Sequence, residues 1–229
     1  MSAAHLVLFD IDGTMLKSEG VGIGAMLRAF TAIHGDRGFS FEGVEIAGAL
    51  DGLLFRRVME QHGLPADEAA HAEFQRVYRG ELDRAMTPER LRQMPGAAML
   101  AQRLRERGAA TGLLTGNYRE TALIKIERAG FDSTHFPFGA FGADGPSRRH
   151  LTPVALARAA EHHGRDFAAE RVTVIGDTPR DIDCAQAHGC RALAVATGPY
   201  ALEALRAEGA DLAVADLSDT DALLEWILR

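Results

Sequence analysis

Two cysteines in 229 residues, Cys184 and Cys190, are too few for a disulfide framework, and a reducing cytoplasm is the compartment that such sparse usage predicts. Both fall where a helical pattern gives way to a strand and read as quiet, buried side chains. Long apolar runs are missing as well, so no membrane span is expected. The first apolar run, His5 to Phe9, is too short for a signal-peptide core and leads directly into carboxylates, so no targeting segment is expected either. Positive charge is scarce: 25 Lys and Arg stand against 32 Asp and Glu, a net charge of −7, which argues against nucleic acid or an acidic membrane as partner. What is present is ordinary for a soluble globular chain, 47% hydrophobic and 25% charged, with length for one generous domain or a core carrying an inserted module.

The densest information lies in Leu6 to Thr14, an apolar run followed by Asp10-Ile11-Asp12-Gly13-Thr14. Alternate strand residues share a side, so Asp10 and Asp12 address one small volume at the strand's carboxyl end. Two carboxylates there suit a hard cation, a phosphoryl group, or both. Gly13 admits a close backbone approach, and Thr14 offers a hydroxyl to an anion or a metal-bound water.

Beyond this turn the pattern becomes helical, with helices predicted over Val21 to His34, Leu53 to Gln61 and Ala66 to Ala85 and no strand between residues 17 and 92. From Pro95 onward strands alternate with helices: strands at Ala110 to Leu114, Phe138 to Phe141, Val172 to Ile175, Ala192 to Ala196 and Leu212 to Val214. Thr152-Pro153 reads as the cap and first turn of a helix running to about His163, leaving a polar loop through His150. The fold class is therefore α/β: a Rossmann-like parallel sheet covered by helices on both faces, with an inserted all-helical unit. Residues 1–16 and 93–229 are expected to form the core and 17–92 the insert.

Three further segments carry chemistry. Thr115-Gly116-Asn117 presents a hydroxyl and backbone N–H groups ahead of a helix, either an anion cradle or a simple helix cap. Arg148, Arg149 and His150 place positive charge in the loop before Thr152, for a phosphate or for solvent. Val172 to Asp181 repeats the opening pattern, an apolar strand ending in Asp177, with Asp181 four residues later at the mouth of a helix that it could equally cap. Three carboxylates from two adjacent strand ends would repel one another without a cation, and Mg²⁺ resolves that.

This set of segments resembles the haloacid dehalogenase superfamily of phosphohydrolases, and the resemblance covers nearly the whole chain. Asp10 to Thr14 match its first motif, Thr115 its second, and Gly176-Asp177-Thr178-Pro179-Arg180-Asp181 its fourth, with the helical insert where that family places a cap. Ala196-Thr197-Gly198-Pro199-Tyr200 and Gly209-Ala210-Asp211 look like its phosphoglycolate phosphatase-like branch. The resemblance implies that Asp10 is the nucleophile and Asp12 the general acid and base. It implies that Asp10, the backbone carbonyl of Asp12 and Asp177 hold Mg²⁺ with Asp181 supporting its waters. Thr115 and the Gly116 amide then bind phosphoryl oxygens, with Gly13, Thr14, Asn117 and Asp51 as further substrate contacts.

Departures accompany the match. The third motif's lysine is absent; His150 occupies its place by counting, and Arg148 fits the basic role better than Arg149. Lys17 stands where many of the family have Asp. Ala47 to Gly52 resembles a substrate loop with Leu50 in place of the more usual Thr, so Asp51 or its neighbours face substrate, or Asp51 caps a helix. A phosphonate hydrolase of this family would need a Schiff-base lysine in the insert, and with no lysine between Lys17 and Lys125 only Lys17 is there to serve. The second carboxylate, Asp12, disfavours a metal-free dehalogenase. The expected activity is Mg²⁺-dependent hydrolysis of a small phosphorylated metabolite, phosphoglycolate-like or a sugar phosphate, through an aspartyl-phosphate. A phosphomutase and a silent phosphate-binding protein are the alternatives. The protein is expected to be cytoplasmic, a monomer or homodimer, without nucleic acid or membrane partner.

Overall fold

The first strand, β1 (Leu6–Phe9), is apolar at every position and buried on both faces. Its alternation sends Val7 and Phe9 into one hydrophobic cluster and Leu6 and Leu8 into another, so one four-residue strand separates two cores. The computed structural model describes residues 5–229, and residues 1–4 of the expected core segment lie outside the described residues.

After β1 the chain makes a two-residue strand β2 (Leu16–Lys17) and three helices: α1 (Val21–His34), α2 (Asp51–Gln61) and α3 (Glu68–Ala85). It returns through β3 (Arg92–Gln93), which pairs antiparallel with β2. The expectation of no strand between residues 17 and 92 is thus corrected at both ends, because Lys17 and Arg92 face each other in this ribbon. Two-residue strands carry no periodicity, so only their pairing reveals them. The three helices share a third cluster in which Phe30 packs on Phe74 with ring centroids 4.4 Å apart.

The remaining elements alternate: α4 (Ala97–Glu106), β4 (Ala110–Leu114), α5 (Arg119–Arg128), β5 (Gly139–Ala140), α6 (Arg148–His163), β6 (Val172–Gly176), α7 (Pro179–Gln186), β7 (Arg191–Val195), α8 (Leu202–Ala207), β8 (Leu212–Val214) and α9 (Thr220–Ile227). They build a six-stranded sheet in the order β5-β4-β1-β6-β7-β8, parallel throughout. Apolar residues of α4, α5 and α9 cover one face, and those of α6, α7 and α8 the other. Each face is therefore closed, as buried parallel strands require.

α6 begins four residues before the predicted cap at Thr152, with Ser147 as its N-cap and Pro153 inside the helix. A proline at that position removes the amide that would bond the Arg149 carbonyl one turn back. Here that carbonyl instead accepts from the His188 imidazole at 2.7 Å. The extra turn has a consequence for chemistry: Arg148, assigned to a polar loop, lies in the first turn of a helix that points into the sheet's carboxyl end.

Candidate active site

The strand order puts β4 and β6 on either side of β1, so the turns after these three strands converge. Asp10 continues the β1–β6 ladder, its N–H donating to the Ile175 carbonyl at 2.9 Å, and it is buried. Gly13 follows with φ of 84°, and a Cβ there would overlap the Asp177 carboxylate, so only glycine lets the two strand ends close up. Thr14 is fully buried and its hydroxyl donates to Asp177 Oδ1 at 3.2 Å, fixing that carboxylate. One carboxylate oxygen each from Asp10, Asp177 and Asp181 lies within 4.8 Å of the other two, and all three residues are buried.

Arg148 is the cation that meets this group. Its guanidinium lies 2.8 Å from Asp10 Oδ1, also bonds Asp181, and donates to the Leu114 carbonyl at 3.3 Å. Arg149 turns outward to Asp183, and His150 Nδ1 pairs with the Ser147 hydroxyl at 2.8 Å. Helix geometry makes that choice: successive residues point about 100° apart, so only one of three neighbours can face inward. Asp181 meanwhile completes a capping box with Thr178 at the start of α7. Its two oxygens therefore serve two masters, Oδ2 the helix and Oδ1 the arginine.

One arginine does not balance three carboxylates. Burial, and then the neighbouring carboxylates, push Asp177 far above the ordinary range, and burial raises Asp10 as well despite Arg148. Such a donor set, all oxygen and in excess negative charge, fits a hard divalent cation. Asp10 and Asp177 would hold it, and Asp181 lies within reach of the same volume.

The Thr115-Gly116-Asn117 turn forms the neighbouring wall. Thr115 N–H donates to the Ala140 carbonyl at 3.0 Å, and Thr115 Oγ1 accepts from Asn117 N–H at 3.4 Å. A Cβ on Gly116 would run into the Ala49 carbonyl, so the 46–50 loop of the insert packs directly on this turn. Asp51 sits behind it, with its N–H donating to the Gly116 carbonyl at 2.7 Å and its Oδ2 accepting from Tyr118 N–H at 2.9 Å. The predicted residues Asp10, Asp12, Gly13, Thr115, Gly116, Asn117, Asp51, Arg148 and Asp177 all line one cavity of about 420 Å³ between sheet and insert. Thr14 and Asp181 lie behind that lining, each holding a residue that faces it.

Among the lining residues left without a role by the sequence, Lys125 stands out. Lys125, on α5, is buried and its Nζ lies 2.5 Å from Asp12 Oδ2. The available signal was its place on the stripe Thr121, Ala122, Lys125 and Ile126, the buried face of α5. A charge on an otherwise inward-facing stripe is the anomaly to look for.

A family model for haloacid dehalogenase-like hydrolases matches residues 7–186. The chain belongs to that family. Among relatives of this haloacid dehalogenase-like hydrolase is the phosphoglycolate phosphatase of Mesorhizobium japonicum, 27% identical over 208 residues that span 84% of this chain and 83% of the relative. The phosphoglycolate phosphatase of Aliivibrio fischeri is 26% identical over 200 residues, 84% of each chain. Solved structures share the fold. CbbY from Rhodobacter sphaeroides in complex with phosphate superposes with a TM-score of 0.72 at 18% identity, over 94% of this chain and 96% of that one. The β-phosphoglucomutase of Clostridium difficile gives 0.68 at 16% identity over the whole of both chains. Among the described residues no helix is long and apolar enough to cross a membrane.

Proposed function

We propose that this hydrolase is a Mg²⁺-dependent phosphatase that removes phosphate from a small phosphorylated metabolite, with residues 17–92 acting as a cap. The observation that carries the reading is the placement of a buried carboxylate, Asp10, beside the Arg148 guanidinium and the Thr115–Asn117 turn, all facing one cavity. Asp10 attacks phosphorus: its oxygen–phosphorus bond forms as the bond to the leaving oxygen breaks, and Asp12 gives a proton to that oxygen. Water then attacks the aspartyl-phosphate, Asp12 takes a water proton, and the Asp10 oxygen–phosphorus bond breaks to release phosphate. Arg148 and the amides after Thr115 stabilise charge on the phosphoryl oxygens. A bound Mg²⁺ would supply the remaining positive charge that an approach of carboxylate to a phosphate dianion requires. The cap, whose 46–50 loop closes over Gly116, keeps bulk water from the first step.

The relatives named for phosphoglycolate favour a small leaving group, and a sugar phosphate is the other class of that size. The test is phosphate release from a panel of both, with Mg²⁺ and then with EDTA, for the wild type and Asp10→Asn. Metal-dependent release by the wild type and none by the variant is expected; hydrolysis persisting in Asp10→Asn would refute the nucleophile. Isomerisation of a sugar phosphate with little free phosphate would reassign the protein as a mutase.

A further inference from the structure

Lys125 is one of only two lysines in the chain, and it occupies a position where a lysine is expensive. Its side chain is 4% exposed, and taking an ammonium out of water costs several kcal/mol unless a partner compensates. A methionine of similar length would fill the same space without that cost. The ammonium reaches the insert: a Cβ on Gly22 of α1 would stand in ordinary contact with it, 3.5 Å from Nζ and 3.8 Å from the Tyr78 hydroxyl.

Its partner is equally distinctive. The Asp12 side chain is 42% exposed toward the cavity, and among the described residues Lys125 is the only side chain hydrogen-bonded to it. Without that bond the carboxylate would be free to choose among rotamers at the cavity mouth. With it, Oδ2 is occupied by the ammonium and Oδ1 remains to carry a proton. Lys125 also lies on the helix that begins just after Thr115-Gly116-Asn117, so one rigid element spaces the phosphoryl-binding turn from the acid–base carboxylate.

We propose that Lys125 is a positioning residue that holds the Asp12 carboxyl where its free oxygen meets the leaving-group oxygen. This rests on the reading of Asp12 as acid and base. In the first step the phosphorus–oxygen bond to the leaving group breaks while the Asp12 proton moves to that oxygen. In the second, Asp12 takes a proton from the attacking water. Lys125 exchanges no proton in either step.

The discriminating readout is dependence on the leaving group. Phenolate from phenyl phosphate departs with difficulty without a proton, whereas 2,4-dinitrophenolate departs readily without one. With Mg²⁺ present, Lys125→Met is expected to lower kcat/KM for phenyl phosphate about 10²-fold, the scale of a general acid's contribution. For 2,4-dinitrophenyl phosphate the change is expected to stay within about threefold, since no proton is needed. Lys125→Gln, which keeps an N–H donor, shows an intermediate loss and carries the test if the Met variant gives no cooperative melt. In an Asp12→Asn background, Lys125→Met is expected to leave the ratio between the two esters unchanged. Equal losses on both esters, or no loss on either, would overturn the proposal. If the wild type hydrolyses neither ester, or Asp12→Asn leaves the ratio at the wild-type value, the acid–base reading falls and the proposal with it. If Asp12→Asn shifts the ratio and Lys125→Met does not, only the role of Lys125 falls.

Discussion

Arg148 shows how much a single side chain decides at this site. It is buried among Asp10, Asp181 and the Leu114 carbonyl, so its removal would leave two buried carboxylates without their cation. Arg148→Met is expected to cost about 3–5 kcal/mol, the usual range for breaking one partner out of a buried ion pair, measured by urea unfolding in EDTA. Arg148→Lys restores the charge but not the planar fork that reaches two carboxylates at once. It is therefore expected to recover part of the stability and little of the phosphatase activity. At this scale the sequence was informative about chemistry and silent about direction. Asp10, Asp12 and Asp177 were legible because they follow directly on apolar strands. Arg148 was preferred to Arg149 and His150 by its place in the motif alone, because which of the three turns inward depends on where α6 starts. The stripe on α5 marked Lys125 as anomalous, but not what it meets, because its partner lies 113 positions away.

Among elements, the contact between α2 and α5 carries the clearest consequence. Asp51 opens α2, yet its carboxylate accepts from Tyr118 N–H at the head of α5, joining insert to core. Burial pushes this carboxyl up to about 6 from its ordinary 3.8, against the pull of Lys125 and of the Tyr118 amide. The folded protein thus binds the proton more tightly than the unfolded chain does. The stability this confers is complete below about pH 3.8 and is lost as pH rises through about 6. Asp51→Asn keeps the shape and the acceptor without the charge. It is expected to be more stable than the wild type above pH 7 by about 3 kcal/mol, and no more stable at pH 4, in paired denaturant titrations. Most helices were legible in their apolar spacing to within a few residues. α6 was not, since Thr152-Pro153 is a good local start; the helix instead begins at Arg148, and the Arg149 carbonyl that Pro153 leaves without its amide is met by His188 from beyond α7. The β2–β3 ribbon was equally hidden, being two residues long on each side.

For the whole molecule, the decisive fact is the strand order that places β1 between β4 and β6. It gathers three buried carboxylates against one arginine, an imbalance that a divalent cation relieves. Mg²⁺ at about a hundred times its Kd is expected to stabilise the fold by about 2.7 kcal/mol, a rise in Tm of about 5–10 °C. Asp177→Asn is expected to abolish that rise, and a rise of the same size in the variant would place the cation elsewhere. The amino-acid sequence by itself determined the α/β class, the helical insert, and the carboxylates and hydroxyl at the strand ends, because strand and helix periods are local and residues on one turn cannot escape one another. Tertiary structure alone decided which way Arg148 and its two neighbours turn, that Thr14 braces Asp177 from behind the cavity wall, and that Lys125 grips Asp12. Those choices are contacts between segments far apart in the chain, set by the parallel register and by the depth at which each helix docks, and no local pattern encodes either.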